Sequence, residues 1–297
     1  MKVKIEKLPE INFVRVDILI NLALDDDLGV SEDVTTKSVI PEDVVASAVF
    51  ICKEDCVCAG LQVAERVFMT INPSIRWEAL VSEGEFCPAG TILARASGNA
   101  RSLLTGERTA LNFLQRLCGI AMTARLYAEQ IADTKCKILD TRKTTPGWRN
   151  LEKYAVAAGG AVNHRMGLYD RVMIKDNHLE LAGLEGEGAI KRAVKRARKR
   201  FPKLEVEVEA DTLEEVKEAC QVGVEYILLD NMNDDTIAEA VKINAGRCKL
   251  EASGGITIER LPRLAALGVD FISVGALTHS VKSSDISMDI AIQSEKL

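Results

Sequence analysis

Between Leu139 and Arg149 the chain reads LDTRKTTPGWR, in which Arg142, Lys143 and Arg149 crowd around one acid, Asp140, in a protein whose formal net charge at pH 7 is -6. Downstream, GGAVNHRMGLYD brings His164 and Arg165, and KDNH brings Lys175 and His178, so two of the three histidines flank one short apolar run. Further on, Glu209 closes LEVEVEA, Asp230 closes VEYILLD, Ser253, Gly254 and Gly255 close CKLEASGG, and Gly275 lies in DFISVGA. Arginine forks bind carboxylates bidentately, through charge-assisted hydrogen bonds worth roughly 1.5–3 kcal/mol each. Facing carboxylates such as Glu209 and Asp230 can hold sugar hydroxyls, or a magnesium that also touches phosphate oxygens. Glycines after a strand let backbone N–H groups and a helix N-terminus approach a phosphate. Singly, each feature has a plain reading: a surface cation pair, a satisfied core histidine, an ordinary loop. Together they point to recognition of phosphate plus carboxylate.

Six short β-rich runs must position these residues: KILDTRK, DRVMIKD, LEVEVEA, VEYILLD, CKLEASGG and DFISVGA, each followed by a helical pattern. Strand alternating with helix means a parallel sheet. Glu209, Asp230, Glu251 and Ser273 follow one another at spacings of 21, 21 and 22 residues, the repeat of a (β/α) barrel. Chemistry in barrels gathers at the C-terminal strand ends, where the following loops share one face. Six clear strands against the eight of a full barrel predict a (β/α) barrel with fewer strands, or an incomplete one. A doubly wound open sheet would most naturally carry a Gly-rich nucleotide fingerprint after its first strand, and the chain has none.

Before the barrel, ASAVFICKED and SIRWEALVSEGEFCPAGTILARASGNA read as strands and turns of a small α+β unit. From Leu103 the pattern turns helical, with Leu103, Leu104, Leu111, Leu114 and Leu117 on roughly one face and Ile120, Leu126 and Ile131 continuing the periodicity. The expected division is a small α+β unit over 1–117 and an α/β barrel over 118–277.

With 297 residues, 47% hydrophobic and 28% charged, the chain has the composition of a soluble globular protein. No run approaches the roughly 20 apolar residues of a membrane span, and the N-terminus lacks the features of a signal peptide. The expected location is the cytoplasm. Cys52, Cys56 and Cys58 have no nearby histidine and no second pair to complete a zinc set, so the eight cysteines read as buried thiols. The basic run between Lys191 and Lys203 carries eight cations, but Ile190, Val194, Ala197 and Phe201 recur at helical spacing. That places the cations on the outer face of a barrel helix, with neither nucleic acid nor membrane as partner.

The segments LDTRKTTPG, LEKYAVAAGGAVNHRMGLYDRVMIKDNH, EVEVE, ILLDN, EASGGI and VGALTHS, with weaker matches at LDDDLGVSEDVTT and TGERTALNFLQRLCGIA, resemble the quinolinate phosphoribosyltransferases, the carboxylating nicotinate-nucleotide pyrophosphorylases. The resemblance runs almost end to end. It departs at Ser31 and Glu32, where the family usually shows a glycine, at Trp148 in place of a common leucine, and at Ala161 in place of a frequent third glycine; none is a charged site residue.

The resemblance implies a transferase of NAD biosynthesis, a decarboxylating pentosyltransferase that moves the phosphoribosyl group of phosphoribosyl pyrophosphate (PRPP) to quinolinate and yields nicotinate mononucleotide, pyrophosphate and carbon dioxide, with Mg2+ required. It implies an N-terminal α+β open-faced sandwich over 1–117, rejoined by 278–297, joined to a catalytic α/β barrel of six to seven strands over 118–277. It also implies a homodimer, each site completed by Arg108 of the neighbouring subunit, and leaves a hexamer open. By resemblance, Arg142, His164 and Arg165 with Arg108 form the pocket for the two adjacent carboxylates. Lys143 and Lys175 lie near those carboxylates and the departing pyrophosphate. Glu209 and Asp230 hold the ribose hydroxyls and the metal, and Lys143, Lys175, Glu209 and Asp230 make up the catalytic set. Thr141 joins the substrate contacts, and Ser253, Gly254, Gly255, Val274, Gly275 and Ala276 line the 5-phosphate cradle. Three rivals share parts of the pattern: a Schiff-base lyase using Lys175, a sister phosphoribosyltransferase with another acceptor, and a non-catalytic binding protein.

Overall fold

In VASAVFIC, Ala46, Ala48, Phe50 and Cys52 alternate with more exposed neighbours, and that period of two makes the segment a strand with one buried face. The computed structural model describes residues 3, 5, 7–184 and 186–292, so the outermost parts of the 1–117 and 278–297 segments lie outside the described residues. The chain divides into two compact units. One holds Val3, Leu126–Lys143 and Ala161–Ala276; the other holds the described residues from Ile5 to Arg125, Thr144–Gly160 and those from Leu277 onward.

The second of these contains α1 (Phe13–Leu28), α2 (Val34–Val39), β1 (Val45–Cys52), β2 (Cys56–Val57), α3 (Leu61–Ile71), β3 (Arg76–Ala79), β4 (Phe86–Cys87) and β5 (Ile92–Asn99), then enters α4 (Ala100–Glu129). Asn12 and Asp33 cap α1 and α2 by accepting the amide protons of Arg15 and Thr36. A final strand, Ile286–Ile292, pairs antiparallel with β1, whose other edge carries β5 and then β3. α3 buries Val63, Ala64, Val67 and Phe68, and Phe68 packs with Phe50 and with Trp77 at a centroid separation of 5.8 Å each, while Phe50 and Trp77 lie 5.1 Å apart. The result is a helix-backed antiparallel sheet, the open-faced α+β sandwich.

Along α4, Leu103, Leu111, Leu114, Leu117 and Ile120 are buried as expected, but Leu104 is half-buried and Leu126 is 42% exposed. At 100° per residue Leu126 lies about 140° around the helix from Leu103, too far to share its face. Trp148, one of the departures, stacks on Phe113 at 4.7 Å and 17°, which gives the larger ring a place. Glu32, another, takes φ +135°, where side chains are rarely found. After Trp148 comes α5 (Arg149–Ala158), and Gly159 follows it because a Cβ there would lie 2.3 Å from the Ala121 carbonyl. All eight cysteines are free and buried.

The other unit runs β6 (Lys137–Leu139), β7 (Val172–Ile174), α6 (Asp176–Leu181), α7 (Ala189–Arg200), β8 (Val206–Ala210), α8 (Leu213–Val222), β9 (Tyr226–Asp230), α9 (Asp234–Asn244), β10 (Lys249–Ser253), α10 (Leu261–Leu267) and β11 (Phe271–Ser273). The six strands pair in parallel in the order β6-β11-β10-β9-β8-β7. β6 and β7 are the two edges, and Val162 adds one parallel bridge to Leu139 beyond β6. The sheet stays unclosed with six strands, an incomplete barrel at the lower end of the expected count. One short helix is punctuated at both ends by its sequence: Thr212 and Glu215 form a capping box at the start of α8, and left-handed Gly223 ends it. On α7, Ile190 and Val194 are buried and the cations face outward, but Phe201 is 52% exposed because the helix ends at Arg200. No helix among the described residues is long and apolar enough to cross a membrane.

Candidate active site

The alternation in LEVEVEA decides what fills the barrel. Val206, Val208 and Ala210 are fully buried beneath the helices, so Glu207 and Glu209 share the opposite, inward face. At the N-terminal end of the strands, Arg171 pairs with Glu205 at 3.7 Å and with Glu207 at 3.4 Å, and its guanidinium lies 4.0 Å from the centroid of the Tyr226 ring. One layer up, His164 Nε2 lies 3.2 Å from Glu207 and 3.4 Å from Glu251, and Ser273 donates its hydroxyl to Glu251. At the C-terminal end, Lys175 forms an ion pair with Glu209. Polar groups on different strands thus form an inner stack that packing alone would fill with aliphatic side chains.

His164 is fixed on every side. Its backbone N–H donates to the wholly buried Asp140 at 2.7 Å, and Asp140 also accepts from the Asn163 amide at 2.8 Å. Its Nδ1 accepts the Arg165 N–H at 2.7 Å, leaving Nε2 to carry the proton toward the two glutamates. Burial works to lower the His164 pKa, and hydrogen bonds and charge from Glu207 and Glu251 more than reverse this.

Arg165 is the least compensated cation of the site. Its guanidinium donates only to the Arg171 carbonyl at 3.2 Å and contacts Met173 Sδ at 3.4 Å, while Nε is buried without a hydrogen-bond partner. Among the described residues no carboxylate forms an ion pair with it. Burial and the positive charge of Arg142 lower its pKa.

The remaining anticipated residues fall as follows. Thr141 accepts the Lys143 N–H at 3.1 Å, which turns the exposed Lys143 outward from β6. Asp230 ends β9 and accepts from Asn231 at 2.6 Å. The Asp211 carboxyl next to β8 is pushed up by burial, Glu215, Asp230 and Asp176, so acids crowd this rim around Lys175. Ser253 ends β10, and Gly254 and Gly255 follow with φ +89° and +57°. Val274 is buried and donates its N–H to Leu139 at 2.9 Å; Gly275 and Ala276 lead out of β11. Arg108 belongs to the other unit, on the exposed side of α4. The barrel therefore brings together Arg142, His164 and Arg165, and separately Lys175, Glu209 and Asp230.

By composition and spacing, His164, Glu207 and Glu251 could hold a metal ion: their ligand atoms all lie within 4.8 Å of one another. With the Arg165 amide on Nδ1, however, the ring nitrogen facing the carboxylates is a donor, which favours a hydrogen-bonded core over a ligand set. The acids of the rim suit a hard cation better, being oxygen donors crowded enough for one carboxyl to be driven up.

Asp140, Glu207 and Asn231 escaped the reading of the sequence, and Glu251 entered it only as a repeat marker. The alternating acids of EVEVE were the available signal for Glu207, since a parallel barrel strand with charge at every second position must carry it on one face. Asp140 gave none, because its burial depends on Asn163 and His164 more than twenty residues away.

An open six-stranded β/α barrel with cations, carboxylates and glycine loops at successive strand ends defines a barrel protein that handles small polyanions. More narrowly, the chain belongs to the quinolinate phosphoribosyl transferase family: residues 120–289 match its C-terminal domain and residues 33–118 its N-terminal domain. It is 40% identical over 287 residues to the probable nicotinate-nucleotide pyrophosphorylase [carboxylating] of Bacillus subtilis, covering 96% of this chain and 97% of that one. Identity to the chloroplastic nicotinate-nucleotide pyrophosphorylase [carboxylating] of Arabidopsis thaliana is 42%, covering 92% and 82%. The crystal structure of NadC from Streptococcus pyogenes superposes with a TM-score of 0.90 at 38% identity, covering 96% of this chain and all of that one.

Proposed function

We propose that the protein transfers the phosphoribosyl group of PRPP to quinolinate with decarboxylation, giving nicotinate mononucleotide, pyrophosphate and carbon dioxide in NAD biosynthesis. The observation that carries this reading is Arg165: a half-buried guanidinium with no carboxylate among the described residues in ion-pair contact, its pKa lowered by burial and by Arg142 against the opposing charges of Glu207 and Asp170. Two cations gathered at a site without a neutralising carboxylate for Arg165 suit a substrate with two adjacent carboxylates. Family membership and the close relatives named above support the same reaction.

In this reading Arg142 and Arg165, with His164 beneath them and Arg108 from a partner subunit, clamp quinolinate so that its ring nitrogen faces ribose C1. The clamp supplies near-attack alignment. Thr141 orients Lys143, which with Lys175 stabilises the pyrophosphate as it departs. Glu209 and Asp230 hold the ribose hydroxyls and would hold Mg2+, which supplies charge neutralisation on the leaving group when bound. Ser253, Gly254 and Gly255, with Val274, Gly275 and Ala276, cradle the 5-phosphate through backbone N–H groups. Once the pyridine nitrogen carries the ribose it is quaternary and positive, and it stabilises the electron pair left at the adjacent carbon as carbon dioxide leaves; that carbon then takes up a proton from water. Lys175 works as half of an ion pair with Glu209, an arrangement suited to electrostatics more than to a neutral Schiff-base nucleophile.

The homodimer is part of this reading, since Arg108 is exposed on α4 and available to a neighbour. Eight free buried thiols suit the reducing cytoplasm. The test is incubation with PRPP, Mg2+ and quinolinate labelled at the 2-carboxylate, nicotinic acid serving as control acceptor. Equimolar release of labelled carbon dioxide and nicotinate mononucleotide is expected; no release where PRPP demonstrably binds would overturn the assignment.

A further inference from the structure

The ends of β9 and β10 are tied together by a residue assigned no role so far. Asn231 follows Asp230 with φ +52°, a left-handed conformation that few residues other than glycine adopt. Its amide Nδ2 donates to Asp230 Oδ2 at 2.6 Å, and its backbone N–H donates to the Ser253 carbonyl at 3.0 Å. Its Oδ1 and Cγ lie 2.1 and 2.6 Å from where a Cβ on Gly254 would stand, so the loop backbone approaches the Asn231 side chain more closely than any other residue type allows. The left-handed turn folds the side chain back over both neighbours, and such strained non-glycine residues persist where their surroundings hold them.

We propose that Asn231 is a positioning residue for the phosphoribosyl donor: it fixes the Asp230 carboxylate relative to the Ser253-Gly254-Gly255 loop and so sets the span between the ribose-hydroxyl and 5-phosphate subsites. The inference rests on the function proposed above. Asp230 at a strand end would otherwise rotate about its side-chain bonds. With Oδ2 engaged by the amide, Oδ1 is the oxygen left for a ribose hydroxyl or a metal. Gly254, held against the same side chain, keeps the loop's backbone N–H groups at a set distance from that oxygen. Ribose 5-phosphate has a nearly fixed span between its hydroxyls and its phosphate, so a fixed spacing between the two subsites favours it over a donor lacking either end.

The experiment compares wild type with Asn231→Ala, Asn231→Gly and Asn231→Asp in the full chain, by steady-state kinetics with each substrate varied and by calorimetric titration with PRPP. The glycine variant relaxes the backbone while deleting the amide, and the aspartate keeps the shape while replacing the donor with an acceptor. A rise in KM for PRPP of about 10-fold or more is expected in all three, the size of one charge-assisted hydrogen bond, with KM for quinolinate within about two-fold of wild type. Asn231→Gly is expected to melt no lower than Asn231→Ala yet to bind PRPP no better. A glycine variant with wild-type KM for PRPP would overturn the proposal, because the residue would then serve only the backbone. So would equal rises in both KM values that follow the loss of thermal stability. If wild type itself fails to bind PRPP, the proposed function falls and this inference with it; if wild type binds and the variants match it, only the inference falls.

Discussion

Burial and the charge of Arg142 lower the pKa of Arg165 against the opposing charges of Glu207 and Asp170, so two guanidinium charges repel where no carboxylate among the described residues forms an ion pair with Arg165. A small dicarboxylate should settle between them. Phthalate, which carries two adjacent carboxylates on an aromatic ring, is expected to raise the melting temperature, reaching about 2.7 kcal/mol of stabilisation at a hundred times its Kd. In Arg165→Gln that shift should vanish while the ligand-free melting temperature stays level or rises, since a like-charge repulsion is removed. Thermal scans at low and high salt check both statements, the phthalate shift shrinking as salt screens it.

Glu207 compensates both Arg171 and His164 inside the barrel. Glu207→Ala takes from Arg171 its nearer carboxylate and from His164 one of its two, and should cost about 3–5 kcal/mol, read by urea denaturation. Glu207→Gln keeps an acceptor and the shape, and should cost clearly less. Equal losses would mean that volume, not charge, is what the site needs.

Glu32 holds a backbone angle that suits glycine, and its ion pair with Lys37 is solvent-exposed. Surface pairs contribute about 0–1 kcal/mol, whereas backbone strain of this kind costs about 1–3 kcal/mol. Glu32→Gly should therefore stabilise the protein, and a lower melting temperature would show that the pair outweighs the strain.

Asp33 caps α2 and also accepts the Thr105 hydroxyl at 3.2 Å, and its hydrogen bonds hold its carboxyl below the ordinary value of 3.8. A depressed acid stabilises the fold in its charged form. Its contribution is whole above the unfolded value and is lost as pH falls from 3.8 through the lower folded value. Asp33→Asn should keep the cap but flatten that part of the acid-denaturation curve, as followed by circular dichroism between about pH 5 and 2.

Periodicity made much of this protein legible before its structure. The six barrel strands, the outward cations of α7 and the sandwich strands follow from patterns local to each segment. Phe201 and Leu126 strayed because a run of apolar spacings says nothing about where a helix ends or how far its face has turned. In the site, the strand-end residues could be read because each follows a recognisable apolar run. The supporting partners could not: Asp140 with His164, Glu251 with Ser273 and Asn231 with Gly254 meet only through tertiary contact, between residues 24, 22 and 23 positions apart.

The strand order carries a consequence for how the molecule comes into being. β6, which leads into the DTRK segment, pairs with β11, with Leu139 opposite Ser273, beside a single bridge from Val162. In the other unit β1 waits for the strand Ile286–Ile292, with Cys52 opposite Ile286. Both sheets are finished by strands that lie far along the chain from their partners, and such distant pairings make closure a slow step. A chain cut before Phe271 could hold β7 to β10 in order and would have no β11 against which to set β6 and the DTRK segment that follows it.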